Sequence, residues 1–200
     1  VKALDYYQAA LAQGSQDALL EAARLCVDPR NETFDFKEAW HLYQKAAEDA
    51  ETEADEEAVQ AEWDNRKALV PLEERVVCLT EAVADQMADA AYYYWGEKLS
   101  NPLENAMKSY GSQAGVEADE VVVLGDSTHS LFWGKGEEGF LITEDGQLIS
   151  SLGTKISLDE LGPVAYREEE LVATISGTVL ARFKGQSDED PVFCGLLNEI

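Results

Sequence analysis

The residues best suited to catalysis lie together just after an apolar run. Asp126, Ser127 and His129 follow residues 121–124 and supply the three side-chain types of a hydrolytic triad. Residues two positions apart on a strand or turn rarely reach the geometry that a triad requires. We therefore expect that these three residues do not form a catalytic unit and that the protein is not an enzyme.

One family resemblance keeps an enzymatic alternative open. The stretch Val121 to Ser127 resembles the first sequence block of the GDS-type lipases and esterases. The resemblance implies that Ser127 is a nucleophile placed after a buried parallel strand. Those enzymes carry an Asp-x-x-His pair near the end of the domain, whereas no histidine follows His129 in this chain. An ester hydrolase that uses Ser127 is therefore only a distant alternative.

A glycine pattern suggests a nucleotide site at first sight. Residues 134–139 read Gly-Lys-Gly-Glu-Glu-Gly and match the dinucleotide fingerprint letter for letter. A pyrophosphate needs a helix N-terminus after those glycines, but the apolar run Phe140 to Thr143 predicts a strand. We expect a hairpin turn at this position and no cofactor.

Residues that bind metals are few and scattered. The two histidines, His41 and His129, are far apart, and the three cysteines lack any Cys-x-x-Cys spacing. The acidic residues 188–190 lack the spaced carboxylates of a calcium-binding loop. We expect no metal site, and three buried, reduced thiols.

An aromatic cluster is the first candidate for binding another protein. Tyr92, Tyr93, Tyr94 and Trp95 are consecutive, and Tyr110 follows. On the helix that we predict here, neighbouring side chains point about 100° apart, so the rings cannot all face one core. Because Tyr and Trp are enriched in interface hot spots, we predict that Tyr92, Tyr93, Trp95 and Tyr110 contact a partner.

An acidic run is the second candidate. It contains five carboxylates within seven residues: Glu51, Glu53, Asp55, Glu56 and Glu57. The run lies on or before a predicted helix start, where negative charge complements the helix dipole. A solvated helix face is the simplest interpretation, and a surface that imitates the phosphate spacing of a nucleic acid is the sharper alternative.

The overall charge restricts the class of partner. The chain contains 40 acidic and 15 basic residues, which gives a net charge of −25 at pH 7. Nucleic-acid binding needs a basic surface, so this class is excluded, and an anionic membrane would repel the protein. No apolar run approaches the roughly 18 to 20 residues of a membrane span, and no signal-peptide pattern is present. We expect a soluble, cytoplasmic protein whose partner is a basic protein.

Two sequence patterns predict the elements that hold these residues. Residues 1–115 are rich in Ala, Leu, Glu and Gln and predict helices, whereas residues 116–200 contain short runs of Val, Ile, Thr, Phe and Gly that predict strands. The fold class is therefore predicted to be α+β in two segregated parts. We place the domain boundary between residues 115 and 116, within the glycine-containing junction near Gly111 to Asp119.

The helical half contains a weak internal repeat. Ala3, Tyr7 and Ala10 recur 36 residues later as Ala39, Tyr43 and Ala46. This pattern resembles the Sel-one-like repeats, which are relatives of the tetratricopeptide repeats, and implies an array of paired helices. Local signals predict one helix that ends near Val27 before Pro29, an N-cap at Asp35 for the next helix, and an interruption at Pro71.

The second half predicts about seven strands and a C-terminal helix. The strands are expected at residues 121–124, 130–133, 140–143, 147–150, 155–157, 171–176 and 179–184, and the helix after Pro191. Asp145-Gly146 predicts a type I′ hairpin turn. The order of strands and turns resembles the small bacterial domains with a pleckstrin-homology-like barrel, and this resemblance implies a protein-binding β domain.

These observations favour a non-enzymatic adaptor that captures a basic protein through an acidic surface. The alternative is an immunity or inhibitor protein that neutralises a basic toxin or nuclease by substrate mimicry. An inhibitor should bind one basic enzyme and suppress its activity, whereas an adaptor should depend more on aromatic contacts than on salt.

Overall fold

The computed structural model describes residues 16–128, 135–183 and 188–199, and it confirms the α+β class. The chain divides into two compact units, Val1–Arg75 and Val76–Ile200. The predicted boundary between residues 115 and 116 lies inside the second unit, because residues 93–116 contribute a strand and core side chains to it. The first copy of the predicted repeat and the predicted strand at 130–133 lie outside the described residues.

Local sequence signals determine the helix boundaries of the first unit. Helix α1 ends at Val27, as predicted from Pro29. Asp35 caps the following helix by accepting a hydrogen bond from the backbone N–H of Glu38 at 2.9 Å, also as predicted. The described helices before the first strand are α1 (Gln16–Val27), α2 (Phe36–Glu48), α3 (Glu53–Lys67) and α4 (Leu72–Gln86).

Aromatic rings fill the core between α2 and α3. The ring of Trp63 lies 5.2 Å from that of Phe36 and 5.2 Å from that of Tyr43. Ala39 and Ala46, the small residues of the second repeat copy, are fully buried beside Tyr43 on the same helix. The spacing of small and aromatic residues on α2 therefore marks its core face.

The second unit is built on an antiparallel five-stranded sheet. Its strand order follows the chain from β1 to β5. The predicted helix at residues 92–95 is wrong, since Tyr93–Trp95 form the first strand of this sheet. The strands are β1 (Tyr93–Trp95), β2 (Val121–Asp126), β3 (Gly139–Thr143), β4 (Gln147–Ser150) and β5 (Lys155–Ser157).

Short helical segments connect β1 to β2. They are a 3₁₀ turn (Gly96–Leu99), helix α5 (Ser100–Ala106), a π-helical turn (Met107–Gly111) and two further 3₁₀ turns (Ser112–Ala114 and Ala118–Glu120). Their apolar side chains pack on one face of the five-stranded sheet. This layer covers the face that carries Tyr94.

A second antiparallel sheet of three strands follows. It contains β6 (Val164–Arg167), β7 (Glu170–Ala173) and β8 (Thr178–Arg182), while α6 (Leu158–Leu161) precedes it and α7 (Glu189–Glu199) follows. The C-terminal helix is confirmed, whereas β1 and β6 were not predicted. The predicted barrel is not formed, because no strand pair among the described residues joins the two sheets.

The hairpin at Asp145-Gly146 is confirmed, but its predicted turn type is wrong. Gly146 alone has a positive φ in this turn, at 77°. A two-residue turn with two positive φ angles instead joins β6 to β7, at Glu168 (50°) and Glu169 (68°). Residues other than Asn, Asp and Gly rarely adopt positive φ angles in such a turn. The backbone conformation of Glu168 and Glu169 is therefore unfavourable for glutamate.

Candidate functional site

The acidic run forms an exposed surface at the start of α3. Glu53 is the first residue of the helix, and all five carboxylates of the run belong to exposed residues. Thr52 is the N-cap, with its hydroxyl accepting a hydrogen bond from the backbone N–H of Asp55 at 3.2 Å. The predicted helix start is therefore confirmed. The carboxylates lie where the helix dipole favours negative charge, so this position is stable without a cation.

These carboxylates carry uncompensated charge. Within the described part of the chain, none of the five forms an ion pair with a basic side chain. We define the acidic surface as residues Glu51, Glu53, Asp55, Glu56 and Glu57.

Glu62, on the same helix, behaves differently because basic residues surround it. It accepts hydrogen bonds from Nε and Nη2 of Arg24, both at 2.6 Å, and from the hydroxyl of Tyr43 at 3.0 Å. The bonds from Arg24, together with that from Tyr43, lower the pKa of Glu62 below its usual value although partial burial opposes this. The first half of α3 thus presents free charge, while Glu62 fastens the helix to α1 and α2.

Tyr93 lies in the core of the second unit and not on its surface. It is 0% exposed, and its ring lies 4.6 Å from that of Phe193 on α7. Its hydroxyl donates a hydrogen bond to Asp190 at 2.7 Å, and burial raises the pKa of this tyrosine well above its usual value. The prediction that Tyr93 contacts a partner is wrong in this structure, because both the ring and the hydroxyl are occupied inside the unit.

Tyr110 is also a core residue. It is 8% exposed and packs with Tyr94, Leu124 and Leu141 on the opposite face of the sheet. Its hydroxyl has no hydrogen-bond partner among the described residues, and burial raises its pKa above the usual value. The predicted partner contact of Tyr110 is also wrong in this structure, because its ring is packed inside the unit.

The remaining two aromatic candidates are more accessible. Tyr92 precedes β1 and is 44% exposed, while its backbone N–H donates to the carboxylate of Glu189 at 3.2 Å. Trp95 is half-buried, and the ammonium group of Lys98 lies 4.2 Å from the centre of its ring. These two residues are separated by the buried Tyr93 and Tyr94, so the predicted four-residue aromatic surface is not assembled.

Ser127 lies at the buried start of the loop that follows β2. Ser127 is 4% exposed and follows an antiparallel strand, whereas the resemblance to the GDS-type hydrolases implied a parallel one. The carboxylate of Asp126 accepts hydrogen bonds from the backbone N–H groups of Thr128 and Gly136, both at 2.9 Å. Asp126 thus joins the two ends of the loop between β2 and β3. His129 lies outside the described residues.

The glycine pattern at 134–139 leads into a strand, as expected, because β3 begins at Gly139. Among the described residues, no group of three or more His, Cys, Asp or Glu side chains is arranged to hold a metal ion. Cys26, Cys78 and Cys194 are buried and form no disulfide with one another, and burial raises the pKa of Cys26 to about 11 and that of Cys194 to about 12.

None of the described helices has both the length and the apolar character needed to cross a membrane. Comparison with protein-family models, curated proteins and solved structures found no match to this chain. The resemblances to Sel-one-like repeats and to pleckstrin-homology-like domains therefore stay predictions.

Two hydrogen-bonded pairs that join residues far apart in the sequence were not predicted. Arg24 and Glu62 are 38 residues apart, and Tyr93 and Asp190 are 97 apart. No local pattern connects such pairs. The one available signal was that Arg24 is the single basic residue of α1.

Proposed function

We propose that the protein is a non-enzymatic adaptor that captures a basic protein on the acidic surface at the start of α3. The observation that carries the proposal is the set of five exposed carboxylates without a basic partner in the described chain. Such a surface attracts a basic protein over several ångströms and accelerates its association, with a strong dependence on salt. We further propose that it acts in the cytoplasm, where its three buried thiols stay reduced.

The spacing of the charges supports a second candidate function. Four of the carboxylates lie in the first two turns of α3 and Glu51 just precedes its N-cap, which concentrates negative charge as the phosphates of a nucleic acid do. An inhibitor or immunity protein that blocks a basic toxin or nuclease would therefore use the same surface. The two candidates differ in whether the captured partner loses an enzymatic activity.

A charge-matched pair of variants tests the proposal. In the first variant the acidic surface is neutralised by Glu51→Gln, Glu53→Gln, Asp55→Asn, Glu56→Gln and Glu57→Gln. In the control, five exposed glutamates of the second unit are changed to glutamine: Glu97, Glu137, Glu138, Glu144 and Glu160. Both variants lose five negative charges, so a difference between them reports the position of the charge and not its total.

We expect a basic partner in a pull-down from the source organism that wild type and the control retain and that the surface variant loses. The association rate measured with the purified partner should fall about tenfold in the surface variant. An equal loss in both variants would show that only the total charge matters and would contradict the proposed surface. Loss of the partner's enzymatic activity in the complex would favour the inhibitor.

A further inference from the structure

A small pocket in the first unit differs in charge from the rest of the molecule. It encloses about 270 Å³ between the end of α1 and the end of α3. Its lining consists of Val27, Asp28, Pro29, Arg30, Arg66 and Leu69. Two guanidinium groups face one carboxylate here, so the lining is net positive in a chain whose net charge is −25.

The carboxylate in the lining is already bound. Both oxygens of Asp28 accept hydrogen bonds from the guanidinium of Arg30, at 2.8 and 2.7 Å. This pairing, with a smaller contribution from Arg66, holds the pKa of Asp28 at about 2. Asp28 is therefore ionised at neutral pH, and Arg30 compensates its charge.

Arg66 keeps most of its N–H donors available. Its Nε lies 3.5 Å from Oε1 of Glu62, but the oxygens of Glu62 already accept shorter hydrogen bonds from Arg24 and Tyr43. A guanidinium group has five N–H donors, and a single contact at 3.5 Å is too long for a strong hydrogen bond. Arg66 can therefore accept a further carboxylate in a bidentate arrangement.

The backbone carbonyl groups at the ends of α1 and α3 already accept hydrogen bonds. The carbonyl of Arg66 accepts a hydrogen bond from the backbone N–H of Leu69, and that of Asp28 accepts one from Asn31. The side chains of Asn31 and Thr33 both donate to the carbonyl of Leu25. The C-terminal ends of both helices carry partial negative charge here, but these carbonyl groups already have donors, so the guanidinium groups supply the N–H donors of the lining.

The rest of the lining is apolar and open. Val27 is buried, Pro29 is exposed, and Leu69 is 72% exposed. An alkyl chain placed against Pro29 and Leu69 would remove apolar surface from water. A ligand that fits both parts of the pocket has one carboxylate and a short branched or linear alkyl chain.

We propose that this pocket binds a small aliphatic carboxylate, with the carboxylate on Arg66 and the alkyl chain against Pro29 and Leu69. The site is independent of the acidic surface and of its partner. Because the ligand is small, binding is weak on the scale of protein partners, and it requires both the charge and the alkyl chain.

The test uses 4-methylpentanoate as the probe and the complete chain as the protein. Chemical shifts of the backbone amides are followed during titration, with acetate and 4-methylpentanamide as comparison ligands. We expect saturable shifts at Asp28, Arg30 and Leu69, and affinity about tenfold lower for both comparison ligands. If acetate bound as tightly as 4-methylpentanoate, the proposed contact of the alkyl chain with Pro29 and Leu69 would be wrong. If the amide bound as tightly, the proposed role of Arg66 would be wrong.

Two variants and one control complete the test. Arg66→Gln should weaken binding about tenfold, since a charge-assisted hydrogen bond is lost. Leu69→Ser changes an exposed residue and should preserve the fold while weakening binding about threefold, so it keeps the proposal testable if Arg66→Gln unfolds the unit. Arg182→Gln, an arginine of the second unit, should leave binding unchanged. Unchanged binding in both pocket variants would overturn the proposal.

Discussion

The acidic run of α3 and the aromatic run of β1 are both short stretches of one residue class, and packing treats them in opposite ways. The five carboxylates of α3 all stay exposed, while Tyr93 and Tyr94 are buried on opposite faces of a sheet. A carboxylate without a partner is too costly to bury, so its position follows from its chemistry. A tyrosine is stable in either environment once its hydroxyl has a partner, so its position follows from the neighbouring elements.

The buried face that contains Tyr93 should be the most sensitive part of the second unit. Tyr93→Ala removes a fully buried ring and leaves Asp190 without the hydroxyl that donates to it. We expect the free energy of unfolding to fall by about 3 to 5 kcal/mol, as for other buried aromatic residues changed to alanine. Urea unfolding followed by circular dichroism measures this change.

The neighbouring residue supplies the control for this prediction. Tyr92→Ala truncates the same side-chain type one position earlier, where it is 44% exposed. We expect a loss below about 1 kcal/mol. Similar losses in the two variants would contradict the assignment of Tyr93 to the core and of Tyr92 to the surface.

The second prediction concerns the close packing of the same face. Gly125 pairs with both Tyr93 and Phe140, and a Cβ atom at this position would lie 2.4 Å from Cε1 of the Phe140 ring. We expect Gly125→Ala to lower the free energy of unfolding by about 1 to 3 kcal/mol, because the ring must move in a filled core. Thermal unfolding of the purified variant measures this loss.

A second glycine tests whether the loss of stability in Gly125→Ala comes from a steric clash. Gly195 lies in α7, and a Cβ atom there would meet nothing within 4 Å. Gly195→Ala should raise the free energy of unfolding by about 0.5 to 1 kcal/mol through helix propensity. Destabilisation by both substitutions would argue against the steric explanation for Gly125.

The third prediction concerns Glu62, the carboxylate of α3 that accepts hydrogen bonds from α1 and α2. The pKa of Glu62 is lowered from its usual 4.5, so the folded state favours the ionised form. Its contribution to stability is therefore complete above pH 4.5 and is lost as the pH falls through the lower pKa of the folded state. Glu62→Gln should lower the free energy of unfolding by about 1 kcal/mol at pH 7, and this difference should shrink below pH 4.

The matched control is Glu104, which pairs with Lys108 on an exposed helix face. An exposed pair is screened by water and salt, so Glu104→Gln should have little effect at either pH. Urea unfolding at several pH values between 3 and 7 compares the two variants. A difference for Glu62→Gln that does not depend on pH would contradict the role of its ionised form.

The smallest effect is expected at the turn between β6 and β7. Glu168 has a φ of 50° there, and asparagine adopts this region more readily than glutamate. Glu168→Asn should raise the free energy of unfolding by about 0.5 kcal/mol. Glu144→Asn, in the hairpin turn at a position with negative φ, should bring no comparable gain in the same unfolding measurement.

Some elements could be predicted because their signals are local. The end of α1 before Pro29, the N-cap at Asp35 and the hairpin around Gly146 each depend on residues a few positions apart. Strand β1 could not be predicted in the same way. It contains three residues, and its partners in β2 lie about 30 positions later in the chain, so its conformation depends on pairing and not on propensity.

The candidate sites show the same division. The acidic surface was predictable by residue number, because helix capping and solvation of charge are local properties. The pocket at Arg66 was not predictable, since it requires residues from the end of α1 and the end of α3 to meet. The role of Asp126 at the base of a loop was also hidden, because its second bond reaches a glycine ten positions away.

The sequence by itself determined the α+β class, the end of α1, the starts of α2 and α3 and the exposure of the acidic surface, because capping, turn chemistry and the cost of burying charge act over a few residues. Only the tertiary structure decided that Tyr93 and Tyr110 belong to the core and that Arg24 fastens Glu62. It also placed Arg30 and Arg66 in the lining of one pocket. These outcomes depend on contacts between distant parts of the chain, which arise only when the elements pack.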